Sequence, residues 1–201
     1  HPVAPAPASA ILSGVNTKMG VIAILRVVYY IAGADFLWKS FVQYIVIGLT
    51  LLTVFMGSML AFKEKIMKRR LAYSTVSQVS YILLGIMLLQ PAGFVGAMLH
   101  VIYHSVIKNN LFLCAGAVIH ETGTTRVEGY RGIGKRMPVT MVCFTLASLA
   151  LVGIPPFSGF VSKWKLCIGA LYSEIRWTKI AGPVVLLVSA LLTAGYLLTV
   201  S

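Results

Sequence analysis

Three residues of the 201-residue chain stand at a spacing that suits proton chemistry: His100, His104 and Lys108 follow one another at i, i+4 and i+8. On a helix they fall within an arc of ~80° and stretch ~12 Å along its axis, a ladder of titratable groups on one face. Histidine changes charge near neutral pH, so such a ladder can pass protons. Two histidines one turn apart could instead hold a metal. No third ligand of the right type lies nearby, however, and a cationic lysine one turn on opposes a divalent cation. A structural polar network between helices is the other reading. Two more lysines belong with the ladder. Lys18 stands ~13.5 Å into an apolar run that begins near Ser9, too deep to anchor a helix end. A charge there costs at least ~2.5–3.5 kcal/mol on insertion scales, so it must face protein or water. Lys163 follows a proline-rich break, and its position alone fits either a working group or a lysine that snorkels to the interface.

The elements that must position these groups are membrane helices. Residues AVILMFWYC make up 58% of the chain, DEKR only 11%, and the mean hydropathy is +0.89. A soluble domain is about 25% charged, so a water-soluble fold would lack polar surface here. The net charge of +12 does not point to nucleic acid, because the basic residues sit in short segments between apolar runs. Cys114, Cys143 and Cys167 lie inside apolar stretches without ligand-like spacing and read as small hydrophobes.

A crossing helix needs ~20 mostly apolar residues. Six spans are expected: 9–32, 40–62, 71–89, 92–119, 138–171 and 180–200. Three prolines are expected to keep the first helix from starting before Ser9. The fifth span is too long, since about 34 residues would reach ~51 Å against a hydrocarbon core of ~30 Å. In its middle stands Gly153-Ile-Pro-Pro-Phe-Ser-Gly159, which predicts an interrupted helix. The basic segments 63–70 and 121–137, the second including Arg131, share one face and mark it as cytoplasmic. Tyr73, Ser74, Thr75, Ser77 and Gln78 crowd the third span, where packing between helices is the simpler role and lining an entry from the cytoplasm the other. The chain begins without Met and stops just after an apolar run, so a piece of a longer membrane protein is expected.

Four stretches together resemble one family. They are His1-Pro-x-Ala-Pro-x-x-x-Ser9 with Lys18 in the following helix, Lys68-Arg-Arg-Leu-Ala-Tyr-Ser-Thr-Val-Ser-Gln78, His100-x3-His104-x3-Lys108-x2-Leu-Phe-Leu, and Gly153-Ile-Pro-Pro-x-Ser-Gly-Phe-x-Ser-Lys163. In this order the chain resembles the antiporter-like, proton-conducting membrane subunits of respiratory complex I, membrane-bound hydrogenases and Mrp-type cation/proton antiporters. The resemblance implies an all-α bundle with one interrupted helix, half of an inverted-repeat fold, running from the end of the seventh family helix through the thirteenth. It implies that Lys18, His100, His104, Lys108 and Lys163 line a proton path along the membrane plane. The family's coupling glutamate and lysine, on its fifth and seventh helices, would precede His1.

The function expected is a proton-translocating subunit of a redox-driven, NADH:quinone oxidoreductase-like complex. An Mrp-type Na+/H+ antiporter or hydrogenase subunit is the alternative, and a structural scaffold or a metal-dependent membrane enzyme stands further off. No Gly-rich nucleotide loop, cluster cysteines or paired carboxylates occur, so no cofactor or metal is expected on this chain and redox chemistry falls to partner subunits. The expected partners are other membrane subunits, protons, with or without Na+, and the lipid bilayer; nucleic acid is not among them.

Overall fold

The structure, a computed structural model, describes residues 4–130 and 132–200. His1 and Pro2 of the first motif, and Arg131 of the basic connector, lie outside the described residues. Helix α1 runs over Ala6–Ala32. It starts earlier than expected because Pro7 falls in the first turn, where the missing N–H has no partner to lose. Its winding widens to the i→i+5 pattern over Leu12–Asn16 and Val27–Ala32, and Gly33 ends it at φ 83°. Helix α2, Phe41–Lys63, is capped by the Ser40 hydroxyl, which accepts the Gln43 N–H at 3.2 Å. Helix α3 spans Met67–Met87 and α4 spans Pro91–Thr122, with a proline in its first turn and Gly123 (φ 67°) past its end.

The expected long fifth span is two helices. Helix α5, Pro138–Val152, stops at Gly153 (φ 88°), and α6, Ser158–Leu171, begins after the two prolines. The break is tightly closed: a Cβ at Gly159 would run into the carbonyl oxygen of Ala150. Helix α7 covers Thr178–Leu198.

Four helices, Ala6–Ala32, Phe41–Lys63, Pro91–Thr122 and Thr178–Leu198, are long and apolar enough to cross a bilayer, and Pro138–Val152 is a shorter apolar one. Helix α3 is long enough but more polar. It can be, because most of its residues are buried among the other helices rather than facing lipid. Large apolar side chains instead face outward on its neighbours, such as Ile31, Phe41, Val106 and Leu191. Such a surface suits a bilayer and not water.

The basic segment before α3 is only partly a loop, because Lys68, Arg69 and Arg70 are already helical. Arg70 is buried. Its guanidinium donates to Glu64 O at 2.8 and 3.0 Å and to Tyr196 O at 2.7 Å. It thereby satisfies carbonyls at the C-terminal ends of α2 and α7 that no helical N–H can reach. The 64–67 segment pairs with the connector through Met67 N–H to Thr125 O and Val127 N–H to Lys65 O, at 3.0 and 2.9 Å. At the opposite end of the bundle, Lys39 and Glu174 form an exposed ion pair at 2.5 Å. Their hydrogen bond and mutual attraction raise the Lys39 pKa and lower that of Glu174. The pair is lost as pH falls through the lowered Glu174 value or rises through the raised Lys39 value.

Two apolar clusters fill the two ends of the bundle. One gathers Met67, Leu71, Phe112, Phe144 and Tyr196; the other gathers Ile47, Leu84, Ile86, Leu166 and Leu186. Between these clusters several helices bury polar side chains. Lys18, Ser58, Ser74, Thr75, Ser77, Gln78, His100, His104 and Ser189 are all buried at that level. The fold therefore carries a polar layer across its middle.

Candidate proton path

Helix α4 places the ladder in this layer. His100, His104 and Lys108 are 2%, 0% and 0% exposed. Burial of a lysine ammonium is tolerated only with good acceptors. Lys108 has two: Nζ donates to Leu71 O at 2.9 Å and to the Ser74 hydroxyl, both on α3. Leu71 O also accepts from the Thr75 hydroxyl at 3.0 Å, and Thr75 Oγ1 meets Ser13 Oγ at 2.7 Å. Ser13 lies in the widened turn of α1, and its carbonyl accepts from Lys18 Nζ. Lys18 and Lys108, on different helices, thus approach each other through Ser13, Thr75 and Leu71, Ser13 offering its carbonyl to Lys18 and its hydroxyl to Thr75.

His100 heads the other end of the ladder. Its Nδ1 meets Ser162 Oγ at 2.9 Å and its Nε2 meets Gln78 Oε1 at 3.0 Å. This pair of oxygens suits an imidazolium, which donates from both nitrogens. Ser162 can then give its own proton to Gly159 O, 3.1 Å away. When the ring is neutral, rotating the Ser162 hydroxyl onto Nδ1 restores a donor there. The site accommodates either charge state by turning one hydroxyl. His104 stacks on His100 with ring centroids 5.8 Å apart. Neither of its nitrogens has a protein hydrogen-bond partner, although both are buried, and Gln78 Nε2 is likewise unpartnered. Buried polar atoms are rarely left so, and these three cluster at one point of the polar layer.

Lys163 does not snorkel. Its ammonium turns inward and donates to Leu151 O and Val152 O at 2.7 and 2.9 Å. These are the unpaired last carbonyls of α5, the negative end of that half-helix, where a cation is favoured. The same ammonium sits 5.3 Å from the centre of the Tyr81 ring.

All five residues singled out from sequence therefore reach the polar layer, Lys18 and Lys108 on either side of Ser13, Thr75 and Leu71, and His100 and Lys163 around Tyr81. The α3 hydroxyls and amide make two kinds of contact. Ser74 accepts from Lys108, Gln78 meets His100, and Thr75 joins the Ser13 hydroxyl to Leu71 O. Ser77 instead joins Ser58 at 2.9 Å and Ser189 at 3.3 Å, binding α2, α3 and α7. Ser13, Tyr81 and Ser162 were not foreseen. Ser162 had a signal, since it adjoins Lys163; Ser13 and Tyr81 are revealed only by contacts across helices. Among the described residues, no three His, Cys, Asp or Glu side chains gather as metal ligands.

The helices α4 and α6 that carry His100 and Ser162 are antiparallel and in register. Gly93 faces Gly169, Gly96 faces Leu166, and His100 faces Ser162. An ideal Cβ on Gly169 would lie 2.6 Å from Gly93 N, and one on Gly96 would lie 2.8 Å from Leu166 N. Small residues let the two backbones meet, the usual device in membrane bundles.

Comparison with known proteins places this geometry in context. A family described as NADH:quinone oxidoreductase/Mrp antiporter, TM, matches residues 1–198. NADH-quinone oxidoreductase subunit N of Desulforudis audaxviator is 40% identical over 193 residues, covering 96% of this chain and 37% of that protein. Among solved structures, the Mrp complex from Dietzia sp. matches with a TM-score of 0.90 at 33% identity, covering 99% of this chain and 36% of the matched one. Respiratory complex I from Thermus thermophilus matches with a TM-score of 0.85 at 28% identity, covering 98% and 40%. The chain spans 36–40% of the length of these relatives.

Proposed function

Since this chain belongs to the NADH:quinone oxidoreductase/Mrp antiporter transmembrane family, we propose that it is part of a proton-translocating, antiporter-like subunit of a redox-driven, NADH:quinone oxidoreductase-like complex. The observation that carries this reading is the polar layer itself. Lys18, Lys108, His104, His100 and Lys163 lie in this layer, with hydroxyls and carbonyls between the first two and stacked rings from His104 through His100 to Tyr81, beside Lys163. Protons move between these groups, and the charge on one alters its neighbours, so the row titrates as a coupled unit. The chain corresponds to the end of the seventh family helix through the thirteenth, and the segments 63–70 and 121–137 face the cytoplasm of a cell membrane. It works among other membrane subunits, which supply the redox chemistry. No step on this chain requires a cofactor of its own.

A second reading, a subunit of a Na+/H+ antiporter, is favoured by the match to the Mrp complex. Measuring transport in sealed vesicles containing the full-length protein in its complex separates the two. The leading reading expects NADH and a quinone to drive acidification without added Na+. Acidification that ignores NADH and follows an imposed Na+ gradient overturns it in favour of the second.

A further inference from the structure

Tyr81 is a fully buried aromatic residue on α3 that the hydrogen-bonded path does not use. Its hydroxyl points away from the ladder and donates to Leu186 O on α7 at 3.0 Å. Its ring touches two working groups at once. His100 of α4 stacks on it with centroids 5.7 Å apart and planes 18° apart, and the Lys163 ammonium of α6 lies 5.3 Å from its centroid. Lys163 also donates to the two carbonyls at the end of α5, and these fix it to the broken helix rather than to the ladder. The ring is therefore a neighbour that His100 and Lys163 share.

We infer that Tyr81 is a positioning residue that holds the Lys163 ammonium in register with His100 through the face of its ring. The negative face of an aromatic ring attracts a cation, and the attraction strengthens where water is excluded. Stacking fixes the same ring against the imidazole. The hydroxyl is the ring's anchor to α7 and carries no proton in this scheme. The inference rests on the proton-transport reading above and adds to it a residue that acts on Lys163 without being titrated.

The test uses the full-length protein in its complex, in sealed vesicles, with Lys108→Ala as a control. Tyr81→Phe is expected to keep transport within about twofold of the unaltered protein, because the ring remains. Fluorinated phenylalanines with one, two and three ring fluorines, placed at position 81, keep the ring's shape but progressively drain its negative face. Transport is expected to fall stepwise across that series, by roughly tenfold in total. A packing role alone would leave the series flat. A flat series beside an inactive Lys108→Ala control overturns the role of Tyr81 and spares the transport reading. A Lys108→Ala control that transports normally overturns the transport reading and the inference with it. Loss of transport already at Tyr81→Phe also overturns the inference, since the hydroxyl would then be the working group.

Discussion

Alanine at Lys108 is expected to abolish proton transport by the full-length protein in its complex while leaving the complex assembled. The reason for survival lies in what the lysine leaves behind. Its acceptors do not become orphans: Ser74 Oγ and Thr75 Oγ1 still donate to Leu71 O at 2.9 and 3.0 Å. A buried ammonium also carries a desolvation penalty of several kcal/mol, which disappears with it. Against this stands a cavity of a few methylene groups, costing about 2–3 kcal/mol. The balance is small, so the thermal midpoint of the purified complex should move by only a few degrees. Transport should respond differently. Lys108 shares the Leu71 carbonyl with Thr75 and stands one helical turn from His104, and alanine has no proton to give. Loss of a group that carries a proton lowers a rate by ~10²-fold or more. Proton uptake by vesicles and the yield of intact complex check the two halves of this expectation.

Valine at Gly169 should produce the reverse pattern. The position faces Gly93 at the closest approach of α4 and α6, and even a Cβ there would press on the Gly93 backbone at 2.6 Å. Backbone cannot swing aside as a flexible side chain can, so the helices must separate. Overpacking of this kind costs about 1–3 kcal/mol, and valine adds two further methyl groups to the clash. Since Gly93 with Gly169 and His100 with Ser162 lie two turns apart along the same pair of helices, a displacement at the first carries to the second. Assembly and transport should fall together, with a thermal midpoint lowered by several degrees. A complex of normal yield and midpoint would contradict the packing described for this seam.

These contrasts show where the sequence was informative. The helices were legible because apolar runs and the polar segments between them are local properties. The break in the fifth span was legible because prolines beside glycines remove donors wherever they stand. The His100, His104 and Lys108 ladder was legible because helical periodicity puts them on one face. What could not be read were encounters between distant segments. Ser13 and Thr75 are 62 residues apart, as are His100 and Ser162, and no local period marks either pair. The direction of Lys163 depended on the carbonyls freed by the break, so its two readings stayed open until the end of α5 was seen. Arg70 read as part of a basic loop because charge composition alone does not reveal two helix ends waiting for a donor. The polarity of α3 has the same origin: a central helix touches protein where a peripheral one touches lipid.

The central claim is that the polar layer carries protons rather than merely holding helices together. His104 separates these roles most cleanly, since both its ring nitrogens lack a protein partner while its ring stacks on His100. Phenylalanine at this position keeps the stack and removes the titratable nitrogens. The decisive measurement is the number of protons moved per electron by the full-length His104→Phe complex in sealed vesicles, with the yield of complex recorded beside it. The proton-path account predicts a lower ratio with yield unchanged. An unchanged ratio in a normally assembled complex would contradict it, and the layer would then be scaffold.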